Sequence, residues 1–123
     1  MTTETNRNLV VVITHGTEHE LSSVAFTIAN GGMTAGLKVS VFLTSAGVDL
    51  VRKRAIDTTH VPPLDPLAAL VKDFLTRGGT LWACTPCVKA HGYTQEDLIE
   101  GTIITGASPM HELIKAGAAT LSF

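Results

Sequence analysis

The residues with most chemistry to offer in this chain are its two cysteines, which stand together in Trp82-Ala83-Cys84-Thr85-Pro86-Cys87. A Cys-x-x-Cys spacing suits thiol–disulfide exchange, half of a zinc ligand set, or nucleophilic capture by a thiolate. Thr80-Leu81-Trp82-Ala83 reads as a short buried strand, and the residues from Cys84 to Gly92 as a turn and a short helical segment. A thiol where a strand stops and a helix starts lies over unpaired backbone N–H groups and the positive end of the helix dipole, and both favour the thiolate. Cys84 is therefore the expected nucleophile. Cys87, one helical turn on, is either a second, resolving thiol or a small buried hydrophobe.

Of the five histidines, His15 has the best placement, directly after an apolar β-branched run, where it could orient substrate or exchange a proton with the thiol. His19 and His111 fall on predicted helices as surface residues, His91 beside Gly92 reads as a helix C-cap, and His60 lies in a proline-rich loop. A closed zinc site needs four ligands. No second Cys-x-x-Cys is present to complete such a set, so no metal and no cofactor is expected. The sequence also holds no Gly-x-Gly-x-x-Gly, Walker loop or Ser/His/Asp arrangement, which argues against nucleotide-dependent and hydrolytic chemistry.

Strands and helices alternate around these residues. Leu9-Val10-Val11-Val12-Ile13-Thr14 predicts a first strand buried on both faces. Leu21, Val24, Ala25, Ile28 and Ala29 mark one face of a helix that continues through Gly31-Gly32, paired glycines suited to close packing, and stops at Gly36. Lys38–Leu43 is the second strand, followed by a short helix from Val48 to about Lys53 and a loop over Ile56–Pro63 that could rim a pocket. Asp65 is the predicted cap of a helix with Pro66 at its first position, which ends at Gly78-Gly79. After the cysteine strand, Thr94-Gln95-Glu96-Asp97 has the form of a capping box. Thr102–Thr105 is a fourth strand, Ser108-Pro109 opens a last helix ending at Gly117, and Ala119–Phe123 is a final strand.

Regular alternation of this kind implies a parallel sheet covered by helices on both faces, in one domain spanning residues 1–123. Ligands in such sheets lie beyond the carboxyl ends of the strands. The residues there are His15-Gly16-Thr17, Thr44-Ser45, Cys84 and Gly106-Ala107-Ser108. His15, Gly16, Ser45, Gly106 and Ser108 are accordingly the expected substrate-binding residues beside Cys84 and Cys87. A thioredoxin domain would carry its cysteine pair early; here two β–α units precede it.

Composition narrows the partners. Among 123 residues, 45% are hydrophobic and 16% charged, rich enough in apolar surface to predict self-association. A net charge of −2 gives no electrostatic reason to expect nucleic acid or an anionic membrane, and Arg52-Lys53-Arg54 reads as a solvated helix end. The start, Met1-Thr2-Thr3-Glu4-Thr5-Asn6, lacks the apolar core of a signal peptide, and no apolar run approaches the ~20 residues of a membrane span. A cytoplasmic setting is expected, where paired cysteines serve chemistry more often than structure.

The succession of strand, cysteine, short helix and Gly92, in a small βαβα chain with Ser45-Ala46-Gly47-Val48 after the second strand, resembles the DsrE/DsrF-like family, which includes TusD-type sulfur-relay subunits and YchN-like proteins. The resemblance runs from the first strand to the last. It implies a flavodoxin-like, three-layer α/β/α sandwich with a mostly parallel five-stranded sheet, and a homotrimer or homohexamer with its sites near subunit contacts. It also implies that Cys84 accepts sulfane sulfur as a persulfide from a donor protein and passes it to an acceptor's thiol. Cys87 leaves two alternatives open: a thiol–disulfide or peroxide-handling redox protein using both cysteines, or a non-enzymatic regulatory subunit that binds a small ligand.

Overall fold

The computed structural model describes residues 7–123. Residues 1–6, read above as a polar lead-in without a signal sequence, lie outside the described residues. Five strands form one wholly parallel sheet: β1 (Asn8–Ile13), β2 (Lys38–Leu43), β3 (Thr80–Cys84), β4 (Thr102–Thr105) and β5 (Ala119–Ser122), in the order β4-β3-β2-β1-β5. Four α-helices connect them: α1 (Glu20–Thr34), α2 (Leu67–Thr76), α3 (Thr85–Ala90) and α4 (Ser108–Lys115). The fold expectation of a flavodoxin-like α/β sandwich with a parallel five-stranded sheet holds.

Alternation along the strands sorts residues between the two faces. Leu9, Val11 and Ile13 of β1, Val39, Val41 and Leu43 of β2, and Leu81 and Ala83 of β3 join Ala25, Phe26 and Ala29 of α1 and Leu67, Leu70, Val71 and Phe74 of α2 in one core. Phe26 and Phe74 meet edge to face at 5.7 Å, a geometry that adds about 1 kcal/mol to their burial. Gly32 lets α1 lie close on the sheet: a Cβ there would come within 3.0 Å of Leu9 and 3.2 Å of Val39. The expected packing role of the glycine pair thus falls on Gly32, while Gly31 is exposed with open space beside it.

The opposite face is less completely covered. Val12, Phe42, Trp82 and Ile103 are in register across four strands. Phe42 and Trp82 are buried, but Ile103 is 50% exposed. Trp82 shares a groove with Pro109, Glu112 and Leu113 of α4, which places α4 on this second face. The chain steps β1 to β4 in one direction and must return across the sheet to place β5, and the uniform hand of such crossovers puts the returning helix on the other side.

Three local expectations need correction. The helix after the proline loop starts at Leu67, with Pro66 rather than Asp65 at the N-cap and no side-chain cap; the Leu67 N–H is taken instead by the Thr59 carbonyl at 2.9 Å. The segment predicted as helix from Val48 is a 3₁₀ helix over Ser45–Val51, begun early because Ser45 adopts φ 53° and turns the chain at once out of β2. His19 lies outside α1 and caps it, its Nδ1 accepting from the Leu21 N–H at 3.1 Å. The Thr94–Asp97 expectation holds: a second 3₁₀ helix (Gln95–Asp97) follows, and the Asp97 carboxylate accepts from the Thr94 N–H at 2.7 Å.

Candidate functional site

Cys84 is the last residue of β3 and the N-cap of α3, so the strand fixes its backbone and the sheet edge its outlook. Its neighbours in register are Thr105 on one side and, past Leu43 opposite Ala83, Thr44 on the other. Both cysteines are free and partly exposed. Cys84 stands at the helix start as expected but makes no side-chain bond that caps it, and α3 is only six residues long.

The donors converge on Cys87 instead. Its Sγ lies 3.1 Å from the backbone nitrogen of Ser45, whose N–H donates to it, and 3.4 Å from the Thr44 hydroxyl. The Thr44 hydroxyl, and behind it the Ser45 N–H and the Cys84 thiol, hold Cys87 below the ordinary thiol value of 9.0; burial opposes them and does not prevail. The turn after β2 creates this cradle. Ser45, in the left-handed region without being glycine, aims its N–H back toward the cysteine helix. Gly47 then packs so tightly under β1 that a Cβ would overlap the Ile13 carbonyl oxygen.

The other end of α3 is tied to the same 3₁₀ helix. His91, the C-cap of α3 as expected, brings Nδ1 to 2.8 Å from Asp49 Oδ1, and the Tyr93 hydroxyl donates to that oxygen at 2.5 Å. Burial first, then the hydrogen bond and charge of Asp49, push the Tyr93 phenol above its ordinary value of 10.0. Thr44 was expected at this edge but was given no binding role, and Asp49 and Tyr93 were not expected at all; nothing in the spacing of Asp49 and Tyr93 announces their contact.

The remaining expected residues are spread along the edge. Gly16 abuts the turn after β2, where an added Cβ would stand 3.2 Å from the Ala46 carbonyl oxygen. His15 stacks on His19 at 4.0 Å, its Nδ1 buried without a hydrogen-bond partner among the described residues. Gly106 and Ser108 follow β4 and are exposed; among the described residues no hydrogen bond joins them to either thiol. His60 bonds within its own loop, 2.9 Å from the Leu64 carbonyl. Among the described residues no group of three or more His, Cys, Asp or Glu is arranged to hold a metal ion.

Two hollows lie away from the thiols. One of about 820 Å³ sits at the opposite strand ends, among Asn8, Lys38, Thr80 and Trp82. The other, about 380 Å³, lies between Arg52 and Tyr93. Neither is lined by Cys84 or Cys87.

Residues 7–123 match the DsrE/DsrF-like family model. The chain belongs to the DsrE/DsrF-like family. A curated relative, the uncharacterized protein MJ0989 of Methanocaldococcus jannaschii, is 34% identical over 107 residues, which cover 85% of this chain and 86% of that one. Among solved structures, this DsrE/DsrF-like fold superposes on the ychN protein of E. coli with a TM-score of 0.77 at 15% identity, covering 95% of this chain and 99% of that one. A protein of unknown function from Methanobacterium thermoautotrophicum, MTH1491, gives 0.76 at 18% identity with the same coverage. These likenesses bear on the fold. Among the described residues of this DsrE/DsrF-like chain, no helix is long and apolar enough to cross a membrane.

Proposed function

We propose that this chain is a sulfur carrier: it holds sulfane sulfur as a persulfide at the Cys84–Cys87 turn and passes it from Cys84 to the thiol of a partner protein. The observation that carries this reading is the pair of free, partly exposed thiols on an open sheet edge, one of them held toward the thiolate by Thr44 and Ser45. A thiolate is the form that takes sulfur from a persulfide. Sulfur-relay roles within the family add support. In this reading Ser45 supplies a fixed donor, while His15, Gly16, Gly106 and Ser108 form the edge against which donor and acceptor proteins dock. No cofactor is required, since the sulfane sulfur travels on the cysteines themselves.

Self-association belongs to the same proposal, as a homotrimer or homohexamer in the cytoplasm. It is supported by α4 and β5, none of whose residues is buried, and by the exposed apolar side chains of Ile28, Ile103, Ile114 and Leu121.

The test is intact mass spectrometry after incubation with a small-molecule persulfide, comparing the wild type with a double variant, Cys84→Ser with Cys87→Ser. The wild type should gain one sulfur atom and the double variant none. Equal uptake by both proteins would sink the proposal. A second reading, thiol–disulfide exchange, draws on the Cys84 thiol being one of the groups that hold Cys87 below its ordinary value. Loss of two hydrogens instead of gain of sulfur would favour it.

A further inference from the structure

We infer that Cys87, not Cys84, is the thiol that takes the sulfur from its donor, and that Cys84 then receives it from Cys87 across the turn. This rests on the sulfur-carrier reading and divides its chemistry between the two cysteines.

The asymmetry between them is geometric. Cys87 Sγ has a backbone N–H at 3.1 Å and a hydroxyl at 3.4 Å, both from the turn after β2, a different part of the chain held by its own constraints. Cys84 has no corresponding side-chain bond to the backbone of α3. Ser45 holds its unusual φ of 53° in the segment that delivers this N–H, and Gly47 lies so close to the Ile13 carbonyl that the segment cannot move further toward β1. His91 and Tyr93 fix Asp49 of the same 3₁₀ helix to the end of α3, so the segment carrying Cys87 and the segment carrying its donors are clamped together at both ends.

A low thiol pKa has two consequences. It raises the thiolate fraction available for attack, and it makes the same sulfur a better leaving group. Both suit a way-station. In the first step Cys87 thiolate attacks the outer sulfur of the donor persulfide R–S–S–H. A bond forms between Cys87 Sγ and that sulfur, the bond to the donor's inner sulfur breaks, and the donor leaves as thiolate with the electron pair. In the second step Cys84 Sγ, giving its proton to solvent, attacks the outer sulfur of the Cys87 persulfide. The Cys87 Sγ–S bond breaks, and Cys87 regains the electron pair as a thiolate received again by Ser45 and Thr44. The sulfane sulfur changes partner twice, with no net oxidation or reduction, and ends on Cys84.

The experiment loads wild type, Cys84→Ser, Cys87→Ser and Thr44→Val with glutathione persulfide, follows sulfur uptake by mass against time, and maps the modified cysteine. Cys84→Ser should take up one sulfur at close to the wild-type rate and keep it on Cys87. Cys87→Ser should load Cys84 more slowly at pH 7, with the deficit shrinking as pH rises. Thr44→Val, which leaves both thiols in place, should load more slowly than wild type and recover at higher pH; it carries the test if Cys87→Ser does not fold. Cys87→Ser loading as fast as wild type, or Thr44→Val showing the wild-type rate and pH profile, would overturn the assignment and leave the carrier reading standing. Absence of sulfur from all four proteins would remove the carrier reading itself.

Discussion

At the scale of single residues, a thiol's acidity here is decided by who donates to it and not by its place in a motif. Spacing and strand prediction brought attention to Cys84, because the strand end was legible and a helix was expected to start there. The helix is real but short, and the stronger donors come from Thr44 and Ser45, 43 and 42 positions away in sequence from Cys87. Contacts of that separation leave no local pattern to read. Removing the Thr44 hydroxyl in a Cys84→Ser background should shift the pH midpoint of Cys87 alkylation upward, because the largest of the groups that hold the thiol low is gone. Iodoacetamide rates between pH 6 and 10 measure it; an unchanged midpoint would mean that Thr44 does not hold the thiolate. Tyr93 offers a cleaner titration, being the only tyrosine of the chain. Its phenol should ionise above 10.0 in the ultraviolet spectrum of the folded protein and move down in Asp49→Asn. A pKa raised on folding gives stability that is complete below the unfolded value and lost as pH climbs through the folded one. Wild type should therefore lose stability faster than Tyr93→Phe above pH 10; parallel losses in chemical denaturation would contradict this.

At the scale of elements, the turn after β2 is a mechanical part. Gly47 meets the Ile13 carbonyl, Thr44 N–H bonds to that same carbonyl at 3.1 Å, and Asp49 receives His91 and Tyr93. Gly47→Ala should cost about 1–3 kcal/mol by overpacking and also slow alkylation of Cys87, because the cradle moves with the segment. Urea denaturation together with thiol reactivity tests both, and loss of stability without loss of reactivity would show the two to be uncoupled. Pattern made most elements legible: β1 was readable from an unbroken β-branched run, β2 from Val39, Val41, Phe42 and Leu43 between a helix stop and a small-residue turn, and α1 and α2 from apolar residues at helical spacing. The 3₁₀ character of Ser45–Val51 was not readable, since it depends on a serine in a conformation that local propensity disfavours. Pro66 as a cap was missed for a similar reason: the N–H an aspartate would have satisfied is taken by Thr59, across a loop whose shape the sequence does not state.

At the scale of the whole molecule, a sandwich with one well-filled side and one half-open side is a natural unit for assembly. Leu121, on the edge strand and 42% exposed, is a point where charge would disturb association and not the core. Leu121→Glu should lower the assembly state in sedimentation while changing monomer stability by no more than about 0.5 kcal/mol; an unaltered assembly would place the contact elsewhere. The strand order has a further consequence, for the sequence of events in the making of the protein. β1 is synthesised first and ends up between β2 and β5, with β5 made after every other strand. Until β5 emerges, one side of β1 offers Leu9-Val10-Val11-Val12, the residues that β5 will pair, as unpaired backbone beside apolar side chains. Such an edge invites pairing with the wrong chain. From the synthesis of β1 to that of β5 the nascent polypeptide thus carries this adhesive edge, and the four residues Ala119–Ser122 are what close it.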